Sequence, residues 1–230
     1  MRRAQSLLLL LLAGPGETDV YFEQLTVTST GRPSGPGVLS SVWFGGKKMR
    51  LEAGDVPGGP ALLLRLDTGR AYRLDPARRT AVEIDVERLR ARSHMDLAMA
   101  GDLMGVEEAA RTRPLRARKT IAGYACRGFR ITAGSTILDL YVTGAVPVGI
   151  DAFAEFLEWS GARQALAGLM GEMRKLPGFP LETRSRVTIL GRVHETVATV
   201  TKVTVGTHPP GVFEPPAGYR IVVEEPPPER

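Results

Sequence analysis

Asp151–Leu176 constrains the fold most, because it is the one long segment with strong helical periodicity and strand-like runs flank it on both sides. Asp151 suits an N-cap, and Pro177–Gly178 stops the segment. At about 100° per residue, Phe153, Phe156 and Leu157 share one face. Ala162, Leu166, Leu169 and Met173 share another, roughly half a turn away. One straight helix cannot bury both faces against one sheet, so the phase change predicts a break at Ser160–Gly161. Two readings stay open. Either two amphipathic helices close a core, or a hinged lid covers an apolar cavity, since ligand pockets tend to be apolar and aromatic-lined.

The remainder reads as sheet. Asp19–Thr30 alternates apolar and polar residues, with a slip near Gln24 that predicts a bulge. Val38–Phe44 and Lys47–Ala53 flank Gly45–Gly46, which predicts a hairpin turning on those two glycines. Ala61–Leu66, Ala71–Leu74 and Thr80–Ile84 follow across short turn segments, so an antiparallel meander is expected. Lys119–Thr132, Ser135–Thr143, Arg184–Leu190 and Val193–Val205 are further strands. Between them the period changes. Ser93 and Asp96 resemble a capping box, and Met95, Met99, Leu103 and Val106 then form a helical stripe. That stripe suits core packing or an adaptable methionine-lined wall for an apolar ligand. The expected fold class is therefore α+β, a curved antiparallel sheet with helices near 93–108 and 151–176 covering it.

The chain starts with Arg2 and Arg3 and an unbroken run Leu7–Leu12, the layout of a secretory signal over residues 1–16. The run is too short to span a bilayer. No cysteine follows it, so a lipoprotein anchor is not expected, and the implied location is periplasmic or secreted. Removing Arg2 and Arg3 from 30 basic residues leaves 28 against 25 acidic, a balance of +3 that is too mild to imply nucleic acid. Residues 17–224 read as one domain, and the proline-rich stretch 225–230 as a disordered tail.

Chemistry is sparse. His94, His194 and His208 lack metal-ligand spacing, and no nucleophile-elbow or phosphate-loop motif occurs. Glu83 and Asp85 stand at period-two spacing, which suits a solvated strand face better than a catalytic pair. No catalytic, cofactor or metal residue is assigned. Cys126 is the only cysteine, expected as a small buried hydrophobe. Arg111, Arg113, Arg116, Arg118 and Lys119 form a basic run without an acidic residue, read as a solvated loop or as a contact with an anionic membrane. The residues expected to line an apolar ligand cavity are Met95, Met99, Leu103, Phe153, Phe156, Leu157 and Trp159.

Two stretches carry a family resemblance. Lys119–Arg130 fits K-x-I-x-G-Y-x-C-x-x-F/Y-x, and Val212–Tyr219 holds F-x-x-P-x-G-Y. With the order of segments between Met49 and Ile84, the chain resembles an exported bacterial family known only as a domain of unknown function, related to the LolA/LolB-like lipoprotein carriers. The resemblance covers roughly Phe22–Ile221. It implies an unclosed barrel with helices plugging its concave face, the face that holds acyl chains in the carriers. A lipid or lipidated protein is the partner it implies. No hand-over motif of those carriers is recognisable here.

Overall fold

A computed structural model describes residues 19–30, 36–54, 59–85, 87, 109–148, 167–189 and 191–224. Its strands are β1 (Val20–Ser29), β2 (Val38–Gly45), β3 (Lys48–Ala53), β4 (Ala61–Arg65), β5 (Arg70–Asp75) and β6 (Thr80–Asp85). They continue as β7 (Arg111–Ile121), β8 (Tyr124–Ala133), β9 (Thr136–Thr143), β10 (Phe179–Ile189), β11 (Arg192–Val205) and β12 (Arg220–Val223). One helix among the described residues, α1 (Ala167–Arg174), precedes β10. The strands form a single curved, unclosed sheet in the order β12-β6-β5-β4-β3-β2-β1-β11-β10-β9-β8-β7. β2 to β6 make the expected meander.

The structure corrects several local expectations. The first hairpin turns on Gly46 and Lys47, because Gly45 pairs with Lys48 inside the ladder. Gly46 takes the positive φ of 55°. Gly45 serves a different need: a Cβ there would lie 2.5 Å from Asp19 Oδ1 and 3.2 Å from the Phe213 ring. The bulge near Gln24 belongs to the partner strand. Glu23 pairs with Lys202 and Gln24 with Val200, so Thr201 of β11 is the extra residue.

Lys119–Thr132 is not one strand. It folds back at Ala122–Gly123, whose φ values of 48° and 84° are both positive, as a two-residue primed turn requires. The basic run therefore belongs to β7, an edge strand paired only with β8, rather than to a loop. Pro114 is tolerated there because an edge strand leaves one side of the ladder unpaired. Between Pro114 and Arg118 the register shifts, and three residues face the single Gly128. A Cβ on Gly128 would meet Leu115 and Tyr141 at 3.0 Å. A further departure from the meander is β12, which pairs with β6 in parallel.

Alternation along the strands divides the core. Val20, Phe22, Val42, Phe44, Leu64 and Ile84 belong to the largest cluster, which extends to Ile121, Cys126 and Phe179. Phe22 and Phe179 meet across β11 with ring centroids 5.5 Å apart. α1 lays Leu169, Met170 and Met173 on Ile131, Leu138, Leu140 and Val142 of β8 and β9. The expected pairing of Leu169 with Met173 on one apolar face holds, and the helix stops before Pro177 as expected. Helical cover of the sheet is thus described over β8 and β9. The insert near 93–108, the break at Ser160–Gly161, the segment 1–16 and the tail 225–230 lie outside the described residues. A third cluster, Ala61, Leu63, Leu74 and Ala81, occupies the other face of β4 to β6 under Tyr219.

Candidate functional site

The seven residues expected to line an apolar cavity, Met95, Met99, Leu103, Phe153, Phe156, Leu157 and Trp159, all lie outside the described residues. What the structure does place is the frame around them. On the face of β3, β4 and β6 that carries the main core, Met49, Leu51, Leu62, Leu66 and Val82 are packed against the cluster yet only partly buried. The apolar face is therefore wider than the described residues that seal it.

The first of the two resembling stretches resolves into a turn and a half-buried ion pair. Lys119 donates to Glu182 Oε1 at 2.5 Å, and its Nζ sits 4.2 Å from the Tyr141 ring centroid. Glu182 is 8% exposed, so Lys119 compensates a carboxylate that burial would otherwise penalise. Ile121 and Cys126 enter the core beside it. The Cys126 thiol is 2% exposed, donates to the Tyr124 carbonyl at 3.4 Å, and is pushed up in pKa by burial. A thiol so placed has little thiolate at neutral pH, which fits packing rather than nucleophilic chemistry.

The second stretch is a strap. After β11 the chain crosses back over β2 to β4. The His208 backbone N–H donates to Asp19 Oδ2 at 3.2 Å, and its ring Nε2 donates to the Phe44 carbonyl at 3.0 Å, so Nε2 carries the proton. The His208 ring meets Phe213 edge-on at 5.4 Å. Arg50 Nη1 donates to the Val212 carbonyl at 3.1 Å, and Arg65 pairs with Glu214. Tyr219 then packs against the cluster of Ala61, Leu63, Leu74 and Ala81, and the Arg220 N–H donates to the Arg79 carbonyl at 2.9 Å to start β12. Sequence reading recognises the stretch but not its contacts; the Gly–Tyr step and flanking prolines signal a turn, without saying which strands it crosses.

Charged side chains on the sheet are paired across strands. Arg130 grips Asp139 with two bonds of 2.5 and 2.6 Å, and this holds the Asp139 carboxyl below the usual carboxylate range. Tyr21 donates to Glu23 at 2.9 Å, which lowers the Glu23 pKa, while burial raises that of Tyr21. Glu83 pairs with Arg70, so the two strand carboxylates Glu83 and Asp85 are not a matched pair. They line a polar cleft of about 300 Å³ with Thr68, Gly69 and Glu224. A second cleft, about 280 Å³, lies under the strap between Asp19, Lys48 and His208. Neither has the apolar lining of a lipid site. Among the described residues no group of His, Cys, Asp and Glu could hold a metal, and no helix is long and apolar enough to cross a membrane.

Comparison with known proteins adds fold likenesses and a family. No curated protein matches the sequence. Similar solved structures include an uncharacterised conserved protein from Thermus thermophilus, with 11% identity and a TM-score of 0.44, covering 90% of this chain and 91% of that one. The LolA superfamily protein NE2245 from Nitrosomonas europaea has 11% identity and a TM-score of 0.34, with 87% and 91% coverage. PNGF-II has 12% identity and a TM-score of 0.38; 90% of this chain aligns, spanning only 31% of PNGF-II. A family model matches residues 39–219, which include the hairpins, the ion pair and the strap. The chain belongs to the family described as Domain of unknown function (DUF4412).

Proposed function

We propose that this protein is a non-enzymatic binder of an apolar ligand, a lipid or a lipidated protein, acting in the cell envelope. The observation that carries this reading is the incompletely sealed apolar face of β3, β4 and β6, where Met49, Leu51, Leu62, Leu66 and Val82 stay partly buried. Apolar surface left open to water is unfavourable by about 25 cal/mol per Å², and a bound acyl chain would remove what these side chains still expose. The segments 88–108 and 149–166, with the aromatic and methionine stripes, are the parts of the chain able to line the opposite wall.

A second reading is a structural or interaction module whose concavity is filled by its own side chains. It is favoured by the recognised motif residues. Lys119, Ile121, Gly123, Cys126, Phe213 and Tyr219 go into a turn, a core and a strap, with none of them part of an apolar cleft among the described residues. A stopped-flow titration with a lipid-like fluorescent dye separates the two. Saturable uptake, slowed by Gly161→Ala with little change in melting temperature, is expected for a hinged lid. No dye binding by the wild type, together with a destabilised Gly161→Ala, would leave the filled module standing.

A further inference from the structure

We propose a second interaction surface, separate from the apolar face of β3, β4 and β6: the arginine-bearing end of the face of β7 to β10 opposite α1, beyond the buried Cys126 and Tyr141 of that same face, docks with the adjoining face of β1 and β11 on an anionic lipid bilayer. The register builds it. Arg113 pairs with Arg130, Arg130 with Asp139, Asp139 with Arg184, Arg184 with Val197, and Val197 with Val27. Directly paired residues share a face, so this row runs along one surface across six strands. Leu138 and Leu140 flank Asp139 and point the other way, into α1. Arg111 and Arg186 join the arginines two residues further along their strands.

Charge and exposure then select the partner. Around this row five arginines (Arg111, Arg113, Arg130, Arg184 and Arg186) stand with two carboxylates, Asp139 and Glu195, while further along the same face Glu182 pairs with Lys119 and Glu23 with Lys202. Asp139 is taken up by Arg130, and Glu195 is shared between Arg184 and Arg186. Arg111 and Arg113 are exposed and have no acidic partner among the described residues. Like charges directly opposite, as in Arg113 and Arg130, are unfavourable unless an anion sits beside them. Beside the arginines, the same face exposes Leu25 at 38%, Val27 at 36% and Val193 at 50%. Tyr21 and Trp43 stand on it in contact at 4.9 Å. Arginines, aromatics and exposed aliphatics together match a headgroup region over hydrocarbon. A nucleic-acid or acidic-protein partner would use the arginines alone. The structure also redistributes the basic run read from sequence. Lys119 is committed to Glu182, and the shift after Pro114 turns Arg118 to the other face beside Arg127.

Vesicle co-sedimentation with the full chain tests this. Phosphatidylcholine vesicles containing phosphatidylglycerol should retain the protein, and pure phosphatidylcholine gives the baseline, including any contribution of Leu7–Leu12. At about 1 kcal/mol per basic residue near an anionic surface, Arg111→Ala with Arg113→Ala should weaken the anionic binding roughly 30-fold. Arg220→Ala, exposed at the opposite edge, should leave it unchanged, and all variants should melt like the wild type. Val27→Ser with Val193→Ser should also weaken it. Equal retention on neutral vesicles, an equal loss with Arg220→Ala, or no loss with the arginine pair would overturn the proposal. So would full binding by the valine variant with equal competition by soluble polyaspartate, which would assign the face to an acidic polymer. None of these outcomes depends on dye uptake, so the interior site stands or falls separately.

Discussion

Asp139 illustrates how single residues on this sheet are tied to pH. It is 8% exposed and its carboxyl is held down by the Arg130 guanidinium, with Arg186 and Arg184 contributing at longer range. Its folded pKa therefore lies below the unfolded value of about 3.9. The pair contributes its full stability above that value and loses it as pH falls from there through the depressed folded pKa. Asp139→Asn should cost about 2 kcal/mol at neutral pH, in line with a lost charge-assisted pair. It should also flatten the acid limb of the melting curve below about pH 4. Thermal melts of both proteins across the acid range check this; an unchanged limb would mean that other carboxylates carry the acid sensitivity. Cys126 behaves at this scale as the sequence indicates. An apolar strand environment and the lack of a second cysteine are enough to foresee burial, because no pairing partner or activating base stands near it in the chain.

At the scale of elements, most strands and the β4–β5, β5–β6 and β10–β11 turns are legible in the sequence, while the β2–β3 and β7–β8 turns are not. Alternation over Val20–Ser29, Val38–Gly45 and Arg192–Val205 is strong because one face is buried, and period two then survives in the residues. β7 escapes such a reading because an edge strand has almost no buried side. Most of its residues are exposed, so the run of arginines reads as loop. Ala122 hides the β7–β8 turn, since alanine at a positive φ gives no local signal. Gly45–Gly46 misleads for the opposite reason: two adjacent glycines look like one turn, yet one answers a steric demand and the other a backbone demand. The pair of substitutions separates these. Gly46→Ala should cost about 1 to 2 kcal/mol through its left-handed φ alone. Gly45→Ala should cost about 1 to 3 kcal/mol by overpacking against Asp19 and Phe213. Only the latter should speed proteolytic cleavage within 206–219, read by mass spectrometry of limited digests. Equal cleavage in both would place the strap elsewhere than over β2. The proposed lining residues rest on the sequence stripes alone, since both stripes fall outside the described residues.

For the whole molecule, a clasp between the start of β1 and the segment after β11 sets a limit on processing. The Asp19 carbonyl accepts from the Gly206 N–H at 3.0 Å, and its carboxylate accepts from His208. A signal peptide over residues 1–16 is compatible with this clasp only if cleavage leaves Asp19 in place. N-terminal sequencing of protein from the native envelope is expected to start between Gly14 and Asp19; an intact Met1 in the cytosol would contradict the export reading, and a mature chain beginning after Asp19 would contradict the clasp. The same arrangement has a kinetic consequence. β1 sits in the middle of the sheet, with β2 on one side and β11 on the other. Its first partner follows within a few residues, but its second arrives only after almost the entire chain has been made. Such distant pairing folds slowly, because loop-closure entropy must be overcome before the contacts reward it. Until β11 docks, β1 offers a long unpaired edge carrying Val20, Phe22, Leu25 and Val27, the type of surface on which nascent chains associate wrongly. The interval between synthesis of β1 and arrival of β11 is thus the period in which this chain most depends on being kept apart from its copies.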